Sequence, residues 1–172
     1  MKFIERGVII IKEAVVELGS NLLDRKLNIH NAIEALSKLP KTKVLEVSSY
    51  YETEPFEVPD KQENYINCCV KIETDLLPET LLGSLLGIEA AMGRVRPFKN
   101  AARIIDADLL FYADVKMNTN DLILPHPEIL KRAFVLVPLT DLYKDKVTPA
   151  FDFSEILDNM DVSGVKKIDL VL

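Results

Sequence analysis

The chain has only two cysteines, Cys68 and Cys69, and they are neighbours. Adjacent positions on a strand face opposite ways, so a disulfide between them is disfavoured, and no cysteine spacing suits a metal site. Thiols placed like this fit a reducing compartment, and the chain is read as cytoplasmic. No apolar run approaches the length of a membrane span. The Val8–Ile11 run is four residues, with no signal-peptide pattern around it. A basic balance is lacking too. The net charge of −6 over 172 residues argues against a nucleic-acid partner, because neutralising a phosphate backbone needs a basic surface. There is no G-x-x-x-x-G-K-[ST] stretch, so any nucleotide is held by something other than a Walker loop. Internal repeats and low-complexity segments are absent.

What is present suffices for one domain with a substantial core, since 48% of the residues are hydrophobic. Ala14–Leu18 reads as a short strand ending at Gly19-Ser20-Asn21, a turn able to cap the helix that follows. Ile29, Ala32, Ile33 and Leu36 give that helix its apolar stripe, and Pro40 closes it. Lys43–Tyr51 predicts a second strand, and Thr53–Lys61 a loop rich in proline and acids. Tyr65–Glu73 alternates, with Ile66, Cys68, Val70 and Ile72 on one face and Tyr65, Asn67, Cys69 and Lys71 on the other. Pro78 starts a second helix, striped by Leu81, Leu85, Ile88 and Met92 and ending near Gly93. A basic loop, Arg94–Ala102, precedes a strand running from Asp106 to about Tyr112. Pro125-His126-Pro127 forms a stiff turn, Phe134–Tyr143 a helix broken or kinked at Pro138, and Lys167–Val171 a last strand.

The order strand–helix–strand–strand–helix–strand predicts an α+β fold: a ferredoxin-like antiparallel sheet with helices packed on it and a C-terminal helical and strand extension. Residues 1–13 lie outside this unit, as an edge strand, an artificial addition or a disordered arm. Residues 14–172 form the single domain.

Chemistry points first to Arg103-Ile104-Ile105-Asp106-Ala107-Asp108. On a strand, Asp106 and Asp108 project from one side, and two acids amid Ile104, Ile105, Leu109, Leu110 and Phe111 need a cation. Mg²⁺ suits them, because it takes one or two carboxylates and fills its shell with water and substrate phosphates. Arg94, Arg96, Lys99 and Arg103 fall within ten residues and suit a polyphosphate beside that metal. Tyr65 and Asn67 share a strand face, which fits a flat heterocycle or an ordinary half-buried surface. Phe134, after Lys131-Arg132, is similarly ambiguous, with a core aromatic the default reading. His126 is held between prolines for function or for a structural hydrogen bond. His30 reads as a surface residue, and Glu52, Glu54 and Glu57 as a solvated loop.

Several short stretches, in order, are shared with one family: Leu18-Gly19-Ser20-Asn21-Leu22, Ser49-Tyr50-Tyr51-Glu52-Thr53, Tyr65-Ile66-Asn67, and Ile88-Glu89 through Gly93-Arg94-Val95-Arg96. Arg103 with Asp106 and Asp108, Leu124-Pro125-His126-Pro127 and Arg132-Ala133-Phe134 complete the set. From Ala14 to Tyr143 the chain resembles the 6-hydroxymethyl-7,8-dihydropterin pyrophosphokinases of the folate pathway. The resemblance implies transfer of pyrophosphate from ATP to the hydroxymethyl group of the reduced pterin, with AMP released. It implies that Asp106 and Asp108 hold two Mg²⁺ ions, that Tyr65 and Phe134 sandwich the pterin, and that Asn67 and Thr53 bond its edge. Glu89, Leu109, His126 and Arg132 would contact ATP, while Arg94, Arg96 and Arg103 would act beside the phosphates of a monomeric enzyme. The chain departs from the family at Pro97-Phe98-Lys99, Ala101-Ala102, Asp121, Ile123 and Glu17. These departures define the alternative, a catalytically impaired homologue that binds pterin or nucleotide.

Overall fold

The strands with the longest apolar alternation form the middle of the sheet, and the elements around them follow in a simple order. The chain runs β1 (Phe3–Glu5), β2 (Val8–Ile10), β3 (Lys12–Ser20), α1 (Arg25–Ser37), β4 (Thr42–Val47), β5 (Tyr50–Thr53), β6 (Tyr65–Thr74) and α2 (Pro78–Ala91). It continues through β7 (Asp106–Tyr112), β8 (Met117–Asn118), β9 (Ile123–Leu124), α3 (Ala133–Leu142), α4 (Ser154–Asp158) and β10 (Lys166–Ile168). The computed structural model describes residues 3–5, 8–10, 12–55, 58, 60–95 and 97–169, the first two segments as backbone only. Among them no helix is long and apolar enough to cross a membrane.

The main sheet has the order β10–β5–β6–β3–β7, with β4 also paired to β6, and every pairing is antiparallel. From β3 to β7 this is the ferredoxin-like arrangement expected. Cys68 and Cys69 do point opposite ways. Cys68 joins Val16, Leu18, Val70 and Leu109 in a core under α1 and α2. Cys69 joins Val15, Phe111, Val135, Leu136 and Phe153 in a second core under α3. The sheet is therefore the middle of three layers.

Several expectations shift by a few residues, each for a physical reason. The first strand begins at Lys12, where Lys12 and Glu13 pair with Thr74 and Glu73. Before it, β1 and β2 form a small antiparallel hairpin. The α1 cap is Asp24, which accepts from Leu27 N–H at 3.0 Å, rather than Gly19-Ser20-Asn21. Lys43–Tyr51 is two strands, not one. Ser48 Oγ takes the Cys69 N–H at 2.9 Å that a continuous ladder would use. Pro138 sits inside a single helix, α3. An interior proline costs about 3 kcal/mol, whereas each buried side chain such as Leu136 or Leu139 contributes about 1.5–3 kcal/mol. Packing therefore outweighs the missing bond. The last strand is Lys166–Ile168, and residues 170 and 171 of its expected span lie outside the described residues.

One irregularity positions chemistry. The β3–β7 register slips between Val15, opposite Phe111, and Val16, opposite Leu109, leaving Leu110 as a bulge. Leu110 and Phe111 both reach the α3-side core in consequence. The Leu110 carbonyl accepts the His126 N–H at 2.7 Å, which fixes the histidine turn beside the carboxylate strand.

Candidate active site

A cleft opens at one end of the α3-side face, where β3, β6 and β7 come together. Register sets Gly19 between Asn67 and Asp106, and Glu17, one step inward, between Cys69 and Asp108. Facing residues of an antiparallel ladder share a side of the sheet, so all of these groups face the cleft side. Gly19 supplies its floor, since a Cβ there would lie 2.9 Å from Asn67 Oδ1 and 3.5 Å from the Tyr65 ring. The cavity measures about 500 Å³ and is lined by Tyr65, Asn67, Arg103, Asp106, Asp108, Arg132 and Phe134, together with Glu17, Lys99, Asn100, Glu128 and Lys131.

The acids and arginines are matched unevenly. Asp106 accepts from Arg94 at 2.6 Å and from Arg103 at 2.9 Å. Arg94 also donates to buried Glu89, whose same oxygen accepts the Ala107 N–H at 2.8 Å. Glu89 thus locks both the arginine and the strand that carries the aspartates. Asp108 has one long contact, 3.5 Å from Arg132. Burial and then the charge of Asp106 push the Asp108 carboxyl above its ordinary pKa. Glu17 is only 3% exposed, and burial followed by Asp108 and Asp106 raises its carboxyl well above the usual range. Burial lowers the His126 pKa, against the pull of Asp108, and the ring Nδ1 accepts from Glu128 N–H at 3.2 Å.

The aromatic side of the cleft is held by cations and amides. The Arg103 guanidinium lies 5.8 Å from the Tyr65 ring centroid, and that of Arg132 lies 5.7 Å from the Phe134 centroid. Asn67 Nδ2 donates to Thr53 Oγ1 at 2.8 Å, which leaves Asn67 Oδ1 facing the Gly19 concavity. Asn21 ties the walls together. Its Oδ1 accepts the Arg103 N–H at 2.9 Å, and its Nδ2 donates to Gln62 Oε1 at 2.9 Å.

Most of the residues singled out from sequence therefore meet. Leu109, Glu89 and His126, expected at ATP, and Thr53, expected at the pterin edge, are not among the residues that line the cleft. The Leu109 side chain is in the α1/α2 core, and Glu89 is buried behind Asp106. Arg94 lines a smaller adjoining pocket of about 140 Å³ with Phe98, Lys99 and Asn100. Arg96 lies outside the described residues. Sequence reasoning missed the tie made by Asn21 and the floor position of Glu17. The signals for the latter are an acid inside the apolar run Ala14-Val15-Val16-Glu17-Leu18 and the departure from the family at that position.

The donor set bears on a metal. Among the described residues no three of His, Cys, Asp and Glu converge on a point that could hold an ion. Two neighbouring aspartates nonetheless fit Mg²⁺, which needs only one or two carboxylates when substrate phosphates and water complete its shell.

Residues 15–144 match the model of the 7,8-dihydro-6-hydroxymethylpterin-pyrophosphokinase family. The chain is 38% identical over 156 residues to the 2-amino-4-hydroxy-6-hydroxymethyldihydropteridine pyrophosphokinase of Methylorubrum extorquens, covering 91% of this chain and 98% of that protein. It is 43% identical over 143 residues to the folic acid synthesis protein fol1 of Pneumocystis carinii, covering 83% of this chain but only 19% of that longer protein. A solved Plasmodium falciparum HPPK-DHPS structure shares the fold with a TM-score of 0.71 at 16% identity, over 94% of this chain and 49% of that one. The chain belongs to the 7,8-dihydro-6-hydroxymethylpterin-pyrophosphokinase family.

Proposed function

We propose that this chain transfers the pyrophosphoryl group of ATP to the hydroxymethyl oxygen of 6-hydroxymethyl-7,8-dihydropterin, releasing AMP, as a step of folate biosynthesis. The observation that carries this reading is the meeting, in one cleft, of an aspartate pair ringed by arginines with an aromatic and carboxamide wall. In the transfer the alcohol oxygen bonds to the β-phosphorus, the bridging oxygen leaves with AMP, and the alcohol proton passes to solvent. Little covalent work falls to the protein, so positioning and charge stabilisation account for the rate.

Tyr65 and Phe134 hold the flat ring, and Asn67 with Thr53 fixes its edge. Asp106 and Asp108 would hold Mg²⁺ (two ions in this reading), which when bound would neutralise charge on the phosphate oxygens. Arg103, Arg132 and Arg96 bring positive charge to the triphosphate, and His126 contacts the nucleotide. Arg94, gripped by Glu89, orients Asp106, and any contact from Leu109 comes from its main chain. The enzyme is read as a cytoplasmic monomer acting on small molecules, with residues 14–172 as its pyrophosphokinase domain and neither nucleic acid nor membrane as partner.

The test is AMP release from ATP, measured by a coupled assay with and without the reduced pterin and Mg²⁺. AMP that depends on both is the expected result. Pterin binding by titration with no AMP would replace this reading with that of a binding homologue.

A further inference from the structure

Two buried side-chain polar atoms lack a hydrogen-bond partner among the described residues: Arg94 Nε and Glu17 Oε1. Arg94 is otherwise engaged, through Glu89 and Asp106. Glu17 is not. Arg103 is turned to Asp106 and Arg132 to Asp108, so no arginine of the cleft bonds the Glu17 carboxyl. A buried acceptor left without a donor is unfavourable, a cost that a ligand bonding to it would remove.

The position of that oxygen defines the ligand. Glu17 Oε1 lies 3.4 Å from the Cβ position that Gly19 leaves empty, and Asn67 Oδ1 lies 2.9 Å from the same point. The Tyr65 ring edge is 3.5 Å away. The Asn67 amide nitrogen is already given to Thr53, so Asn67 presents an acceptor here. Two acceptor oxygens thus converge over a floor without a side chain, next to an aromatic ring. Among the described residues no donor bonds Glu17 Oε1, and no three metal-binding side chains converge here. Such a place suits a flat heterocycle whose edge carries ring N–H and amino groups.

We propose that Glu17 is a specificity-determining residue, which with Asn67 forms a pair of acceptor oxygens above Gly19 for the N–H donors of the heterocyclic substrate. The assignment rests on the functional reading above and adds to it the group that selects an amino-bearing ring over its oxo counterpart.

The experiment titrates the full chain with 6-hydroxymethyl-7,8-dihydropterin, with the analogue whose amino group is replaced by oxygen, and separately with a non-hydrolysable ATP analogue and Mg²⁺. Wild type is compared with Glu17→Ala, Glu17→Met and Glu17→Gln. Met fills the space without an acceptor if the Ala variant folds poorly, and Gln keeps one acceptor oxygen. Loss of the acceptor should weaken pterin binding by about tenfold, the equivalent of about 1.4 kcal/mol. It should also erase the preference for the amino-bearing ring and leave the ATP analogue unaffected, while Gln restores most of the affinity. Unchanged pterin affinity in the Met variant would overturn the proposal. So would equal loss of both ligands, loss in Gln as large as in Met, or a preference for the amino group that survives. AMP release by wild type together with any of these results sinks the role of Glu17 alone. A wild type that neither binds pterin nor releases AMP removes the functional reading, and this role with it.

Discussion

Asp106 and Asp108 are one residue apart on the same face, yet their surroundings differ in a way that separates folding from function. Asp106 is held by two arginines, so its removal would strand buried cations as well as a metal ligand. Among the described residues Asp108 has one ion pair, the long one to Arg132, and burial and Asp106 together disfavour its charge against the weaker pull of His126, Arg132 and Arg94. A carboxylate kept in such a place serves something other than the fold. We expect Asp108→Asn to leave the thermal midpoint unchanged or higher, because it removes a disfavoured charge at constant shape. Pyrophosphoryl transfer should fall by about a hundredfold or more, since losing a metal ligand forfeits about 3 kcal/mol or more of transition-state stabilisation. Melting curves and the AMP assay measure the two effects independently. Full activity in this variant would remove Asp108 from the catalytic set.

Elements differ in how much of their placement local chemistry determines. The helix α1 is anchored by Asp24, whose carboxylate bonds the Leu27 N–H and is not part of the cleft lining. Asp24→Ala should lower unfolding free energy by about 0.5–2 kcal/mol in urea while leaving the KM values for ATP and pterin unchanged. A large loss of activity without loss of stability would show that the start of α1 acts on the cleft directly. Features of this local kind were legible in the sequence: the alternation of β6, Pro78 opening α2, and the aspartate pair on β7. What escaped depends on partners distant in the chain. The break at Ser48 exists because its hydroxyl meets Cys69, and the Leu110 bulge because β7 must fit β3 while supporting His126. Glu89 looks from sequence like a ligand contact, yet it is committed to Arg94 and the Ala107 N–H. The cap of α1 is likewise not fixed by composition, because the three adjacent cap formers Gly19-Ser20-Asn21 precede Asp24 and residue type alone does not choose among them.

At the scale of the molecule, the sheet carries two cores, and the cleft exists because the α3 layer covers only part of its face. The α3 layer is seated by apolar packing and by polar seams at its far end. Tyr143 donates to Glu13 while Lys71 Nζ lies 4.2 Å from the Tyr143 ring centroid. Asp141 accepts from the Ser49 N–H and the Tyr51 hydroxyl, each at 2.9 Å, which pins α3 to the break between β4 and β5. Burial alone would raise the Asp141 pKa, but the bonds from Ser49 and Tyr51 outweigh it and hold the carboxyl below its ordinary value. A carboxyl with a depressed folded-state pKa adds stability that is complete above its unfolded value, about 3.9, and is lost as pH falls through the folded one. Asp141→Ala should therefore cost about 1.5–3 kcal/mol at pH 7, the range for hydrogen bonds to a charged group. Urea unfolding repeated from pH 7 down to about 3 should show the wild-type advantage holding constant and then narrowing below about pH 4. An advantage that stayed the same through that acid range would mean that the Asp141 charge does not secure the second layer. Because Phe134 and Arg132 stand at the opposite end of α3 from this seam, the variant should also loosen the aromatic wall. Weaker pterin binding than ATP binding at moderate urea, before global unfolding, is the signature that would connect this distant carboxylate to the site.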